Sequence, residues 1–288
     1  MGASSSAKVD MAQTYFPIAG IVAIAIALPA LGKGESRESV TREDVFKAVQ
    51  SLADDKDLFA ASEYVLGLEN ESKIVEAFSN LVLDCHHKVK STEQILHFGY
   101  AGVHYCLGRA ALYDENDRAA AKKLRFAAKR MATNVASFTW PGWDEPGVTI
   151  SREQMRAGLA FAQYSVRQLH ELDPNTGQLA FTYWFLGAQL IAHEQYDEAI
   201  KVLEEARDYS REQGDGPEGV KMLEGYIGLT RILKGQKEAG ESAFSSAMTA
   251  LKTRDNEDAR FYAKQLVTAR AVFEGKSKPI GAVNRAQH

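Results

Sequence analysis

The chain has 288 residues, of which 45% are hydrophobic and 25% charged, the make-up of a globular protein able to bury a sizeable core. Its 34 basic and 38 acidic residues leave a net charge of −4, so no overall attraction to nucleic acid exists, and the short clusters Lys122-Lys123-x-Arg125 and Lys129-Arg130 read as solvated helix faces. With only two cysteines, Cys85 and Cys106, a disulfide-rich scaffold is excluded.

Residues 1–10 are small and polar and read as a disordered start. Met1-Gly2-Ala3-Ser4-Ser5-Ser6 fits the N-myristoylation pattern, which is short and frequent by chance. Residues 11–32 carry no charge, and Phe16 to Leu31 is almost wholly apolar. Three readings compete for it. One is a membrane-spanning anchor, with Tyr15 and Phe16 at one interface and Lys33 and Arg37 at the other. Another is a secretory signal peptide, with Lys8 upstream, a break at Pro29 and small residues before a cut near Gly32. The third is a buried core helix, disfavoured because Ile21 to Leu31 is apolar on every face. The first two place the chain at a membrane or outside the cytoplasm. Residues 33–40 form a polar linker.

Residues 41–91 read as an N-terminal helical region. Thr41 caps a first helix whose apolar face is Val45, Phe46, Val49 and Leu52. Asp54-Asp55-Lys56-Asp57 ends it, and Leu58–Gly67 and Ser72–Val89 follow as a second and a longer third helix. From Thr92 a repeat emerges over residues 92–275. Leu107-Gly108 is followed by Ala120, Leu124 and Ala127, at 12, 16 and 19 residues from the glycine. The same intervals separate Gly187 from Ala199, Leu203 and Ala206, and Gly228 from Gly240, Phe244 and Ala247. Glycines 108, 187 and 228 are 79 and 41 residues apart, so the unit is near 40 residues with a degenerate copy at Gln154 to Asn175. Ala259, Tyr262, Leu266, Ala269 and Phe273 make the stripe of a closing amphipathic helix at 256–274, and 276–288 is a loose tail.

The clearest copy is 180–209, with weaker ones at 101–134 and 221–254. Its spacing, Tyr183-x2-Leu186-Gly187-x2-Leu190 and then Tyr196-x2-Ala199-x3-Leu203-x2-Ala206, resembles a tetratricopeptide repeat. The resemblance implies an all-α fold, a right-handed superhelical array of antiparallel helix hairpins ending in a polar-backed cap. It also implies a non-catalytic scaffold for protein–protein interaction, an adaptor or assembly factor. The first helix of each hairpin would line a concave groove, which places Phe181, Trp184 and Ala188 there, followed by Met222, Gly225 and Leu229. Such a groove, apolar and without Lys or Asn, would take an amphipathic helix or an extended apolar peptide. The competing reading is that the last helix or the Trp140 loop fills it.

That loop, residues 138–151, holds two Pro, two Gly and the pair Trp140 and Trp143, which no ordinary helix would carry. Either the tryptophans fold back over the repeat edge or they clamp a partner. Ser151-x-x-Gln154 restarts helix as a capping box. No nucleophile elbow, phosphate loop or HExxH motif occurs. Cys85, His86, His87, His97, His104 and Cys106 form the one cluster of soft ligands. It reads chiefly as structural, with no metal or cofactor assigned; a Cys85–Cys106 bridge, or an enzyme, redox protein or metal carrier built on the cluster, stand as alternatives. A further alternative is a structural subunit held permanently in a membrane complex.

Overall fold

The computed structural model describes residues 40–55, 57–213 and 216–275. The lipidation, anchor and signal-peptide readings on 1–39, and the loose tail 276–288, lie outside the described residues. The described chain contains eleven α-helices and no strand. They are α1 (Arg42–Asp54), α2 (Leu58–Leu66), α3 (Glu71–Asp84), α4 (Thr92–Tyr113), α5 (Arg118–Phe138), α6 (Arg152–Glu171), α7 (Thr176–Ala192), α8 (Tyr196–Gln213), α9 (Pro217–Leu233), α10 (Lys237–Lys252) and α11 (Glu257–Phe273). Among the described residues no helix is long and apolar enough to cross a membrane.

The starts of these helices are written locally. Thr41 and Ser151 each accept from the backbone N–H three residues on, and Asp44 and Gln154 reach back to the cap, as the capping-box spacing requires. Asn175 does the same with Gln178 at the head of α7. Asp57, Asn70, Asp117 and Asn256 cap α2, α3, α5 and α11.

Every helix packs against its predecessor and its successor, with further contacts between α5 and α7, α7 and α9, and α9 and α11. Consecutive helices run antiparallel where close contacts fix the sense: Gly99 meets Val135 while Gly102 meets Met131, and Gly228 meets Phe244 while Ile232 meets Gly240. In α9/α10 the approach is backbone to backbone. A Cβ on Gly228 would stand 2.6 Å from Phe244 N, and one on Gly240 would stand 2.6 Å from Ile232 N. In α7/α8 a Cβ on Gly187 would stand 2.6 Å from the Leu203 side chain, while Ala199, Leu203 and Ala206 are fully buried. The 101–134 copy differs. Gly108 is exposed with open space around it, and the deep positions of α5 are Ala121 and Ala128, so Ala120 and Ala127 are only half-buried. The close approaches of α4 are Gly99 and Gly102 instead, because α3 as well as α5 packs on it.

Three further details depart from the sequence reading. The third helix stops being α-helical at Asp84; Cys85–Val89 widens into a π-helical turn that Lys90 ends in the left-handed region (φ 59). The degenerate copy at Gln154 to Asn175 holds one long helix, α6, in place of a hairpin, with the 138–151 loop before it. Lys129 is not on a solvated face. It is buried, and burial pushes its ammonium down to about 8, because α3, α4, α6 and α7 all pack on α5.

The apolar interior forms two clusters. One spans α1 to α6 around Phe78, Phe98, Cys106 and Met131. The other spans α7 to α11 around Trp184, Tyr226, Leu229 and Leu266, and takes in Trp140 from the loop.

Candidate functional site

The loop between α5 and α6 is built from its ends. Thr139 Oγ1 donates to Val135 O at 2.7 Å and terminates α5. The buried Gln189 amide of α7 donates to Ala136 O at 2.6 Å and to Thr139 Oγ1 at 3.3 Å. Gly158 of α6 faces the same two side chains and has no room for a Cβ. Helices α5, α6 and α7 are thus pinned where the loop begins. Pro141–Trp143 makes a 3-10 turn, and Asp144 (φ 49) and Gly147 (φ 85) turn the chain back. The far side is tied to the π-turn: Lys90 Nζ reaches Glu145 at 2.7 Å and Pro146 O at 2.6 Å, and Thr92 Oγ1 donates to Thr149 O at 2.9 Å.

This geometry drives both tryptophans inward. Trp140 is 1% exposed and packs on Tyr226 of α9 (6.0 Å between ring centroids) and Phe273 of α11 (6.1 Å). Trp143 stands edge-on to Trp140 (5.2 Å) and to Trp184 (6.1 Å), its Nε1 donating to Ser137 O at 3.0 Å. Trp184 touches Tyr226 and Phe185, and Phe181 lies edge-on to Phe185 at 4.9 Å.

The residues expected to line an open groove therefore lie inside the protein. Trp184, Ala188, Met222 and Leu229 are all buried, and Phe181 is half-buried. Trp140 and Trp143 cover this face of α7 and α9 on one side and α11 covers it on the other, where Leu266 occupies the space left by Gly225. The physical reason is that a continuous apolar stripe on α7 and α9 has no charge to keep it wet, so the chain's own loop and closing helix cover it. The aromatic packing leaves Trp140 Nε1, Trp184 Nε1 and Tyr226 OH buried with no hydrogen-bond partner among the described residues. Burial raises the Tyr226 hydroxyl well above the usual phenol range, so it stays protonated. Reading the sequence missed Tyr226, Thr139 and Gln189. A signal for Gln189 was present: an amide in the middle of an otherwise apolar helix.

The Cys/His residues do not converge. Cys85 and Cys106 are free, buried thiols, each pushed up to about 12 by burial first and a nearby carboxylate second. Cys85 Sγ lies 3.4 Å from Gln94 Oε1. His86 is stacked flat on Phe138 at 3.9 Å, and burial lowers its imidazole to about 4. His87 stands edge-on to the same ring, His97 meets Ser62 Oγ at 2.8 Å, and His104 is exposed beside Tyr100. Among the described residues no group of three or more His, Cys, Asp or Glu could hold a metal ion. At the surface, α2 exposes apolar area, with Phe59 78% and Leu66 46% exposed. No protein-family model matches the chain, and no curated protein is similar to it.

Proposed function

We propose that this protein is a non-catalytic helical scaffold, a tetratricopeptide-like right-handed array of hairpins that holds partner proteins at a membrane. The observation that carries the reading is the matched construction of α7/α8 and α9/α10. In each, a glycine of the first helix lies against the residue 16 positions on, and small buried residues follow at the same intervals. A hairpin so built leaves apolar area on both outer sides and needs neighbours to stack on it. The contacts between α5, α7, α9 and α11 are the pattern such stacking produces. The membrane part rests on the uncharged stretch 11–32, as an anchor or a cleaved signal.

With its inner face filled by its own loop and last helix, the scaffold engages partners through its outer surfaces. The test is fractionation of the full chain, followed by cross-linking of the solubilised material and identification of the attached chains. Recovery with membranes or outside the cytoplasm, cross-linked to a second protein through the helical body, is expected. A chain that stays in the cytoplasmic fraction as an unattached monomer overturns the proposal.

A further inference from the structure

Helix α2 is short, nine residues, and three of the seven large apolar side chains exposed in the described structure belong to it: Phe59, Tyr64 and Leu66. Its inner face is Ala61, Ser62 and Val65, buried against α1, α3 and α4. Phe59, Glu63 and Leu66, at i, i+4 and i+7, form one outer stripe about two turns long. The apolar surface continues onto α4. Phe59 stands edge-on to His97 at 5.5 Å, and one turn further Tyr100 is 43% exposed and rests on Phe161 at 4.6 Å.

The surround is acidic. From Asp54 to Glu71 the chain carries six carboxylates against the single lysine Lys56, five net negative charges. Asp57 caps α2, Glu69 and Glu71 pair with Lys73 and Arg109, and Glu93 sits one turn before His97 on α4. Asp54, Asp55 and Glu63 are exposed and form no ion pair among the described residues.

We propose that this face of α2 docks a basic amphipathic helix of a partner protein, its apolar stripe on Phe59 and Leu66 and its Lys or Arg residues against Asp54, Asp55 and Glu63. Charge decides among occupants. A second copy would set this acidic rim against itself, and an anionic lipid surface would be repelled by it. The chain's own stretch 11–32 carries no cation to answer the carboxylates. A basic amphipathic helix satisfies both parts of the surface at once. The inference deepens the scaffold reading by naming the chemistry of its partner, and it does not depend on the membrane tether.

The test is hydrogen exchange of the full chain with two synthetic amphipathic peptides sharing one leucine stripe, one lysine-backed and one glutamate-backed. The lysine peptide should slow exchange over Leu58–Leu68, less at high salt, and the glutamate peptide should not. Glu63→Lys should weaken the lysine peptide about fivefold and Phe59→Ser should abolish the footprint. Both sites are exposed, so melting should hold. Equal protection by both peptides, protection only on another helix, no protection, or a footprint produced by phosphatidylcholine–phosphatidylserine vesicles each overturns the docking surface. A chain ending at Gly275 that binds the peptide more tightly would assign the face to the basic tail 276–288 and also overturn it. These outcomes leave the scaffold reading to its own cross-linking result.

Discussion

Glycines 108, 187 and 228 occupy one place in the repeat spacing, yet the structure gives two of them opposite roles, which makes a paired substitution decisive. In Gly228→Ala the new Cβ would stand 2.6 Å from Phe244 N and 3.0 Å from Phe244 Cα and Gly240 O. Non-bonded carbon contacts are comfortable at about 3.5–4.0 Å, so α9 and α10 must separate by about 0.5–1 Å. The obstacle is backbone and cannot swing away. A fixed backbone obstacle puts the cost in the upper part of the overpacking range, about 2–3 kcal/mol, while replacing a helical glycine by alanine returns about 1 kcal/mol. The net is a loss of about 1–2 kcal/mol. In Gly108→Ala the Cβ meets nothing within 4 Å on an exposed helix face, so only the gain of about 0.5–1 kcal/mol remains. Thermal unfolding of the full chain by circular dichroism should place the two variants on opposite sides of the parent, about 5–10 °C apart. Two shifts of the same sign, or an unchanged Gly228→Ala, would refute the hairpin geometry.

Trp184→Ala should lose about 3–5 kcal/mol in denaturant unfolding, as removal of a core aromatic side chain does, and so fail as a selective binding variant. Tyr226→Phe removes a buried hydroxyl that has no partner among the described residues, so it should leave stability unchanged or raise it by about 1 kcal/mol. His86 is held neutral by burial down to about 4, whereas the unfolded chain takes a proton near 6.5. Its contribution is complete above 6.5 and is lost as pH falls from 6.5 to 4, about 3 kcal/mol in all. Stability–pH curves of His86→Phe should be flatter over that window than those of the parent. Lys90→Met removes the ties to Glu145 and Pro146 and should raise hydrogen exchange in residues 144–150 while leaving α7 and α9 protected.

Most of the helical framework was legible because its signals are local. Thr41 and Ser151 announce helix starts through groups three residues away, and the closing stripe of α11 is a period that needs no tertiary knowledge. Apart from the π-helical turn at Cys85–Val89, the misreadings concern contacts between distant segments. Gly108 matches the spacing of Gly228, but whether a glycine meets a neighbouring backbone depends on where α3 sits. Lys129 reads as a surface charge until α6 and α7 are packed over it. Trp140 and Trp143 admitted two readings, and Thr139, Gly158 and Gln189, scattered over three helices or their ends, turn the loop inward. The exposed stripe of α2 was hidden because nine apolar-rich residues look the same whether one side is buried or both.

Trp140 and Trp143 of the loop close over the aromatic face of α7 and α9. All three tryptophans of the chain, Trp140, Trp143 and Trp184, lie in that cluster, so fluorescence excited selectively in tryptophan reports on it alone. The full chain in native buffer should emit well to the blue of free tryptophan and resist quenching by iodide, and denaturant should abolish both properties together. Red-shifted, readily quenched emission from the folded chain would show the face open and contradict the account.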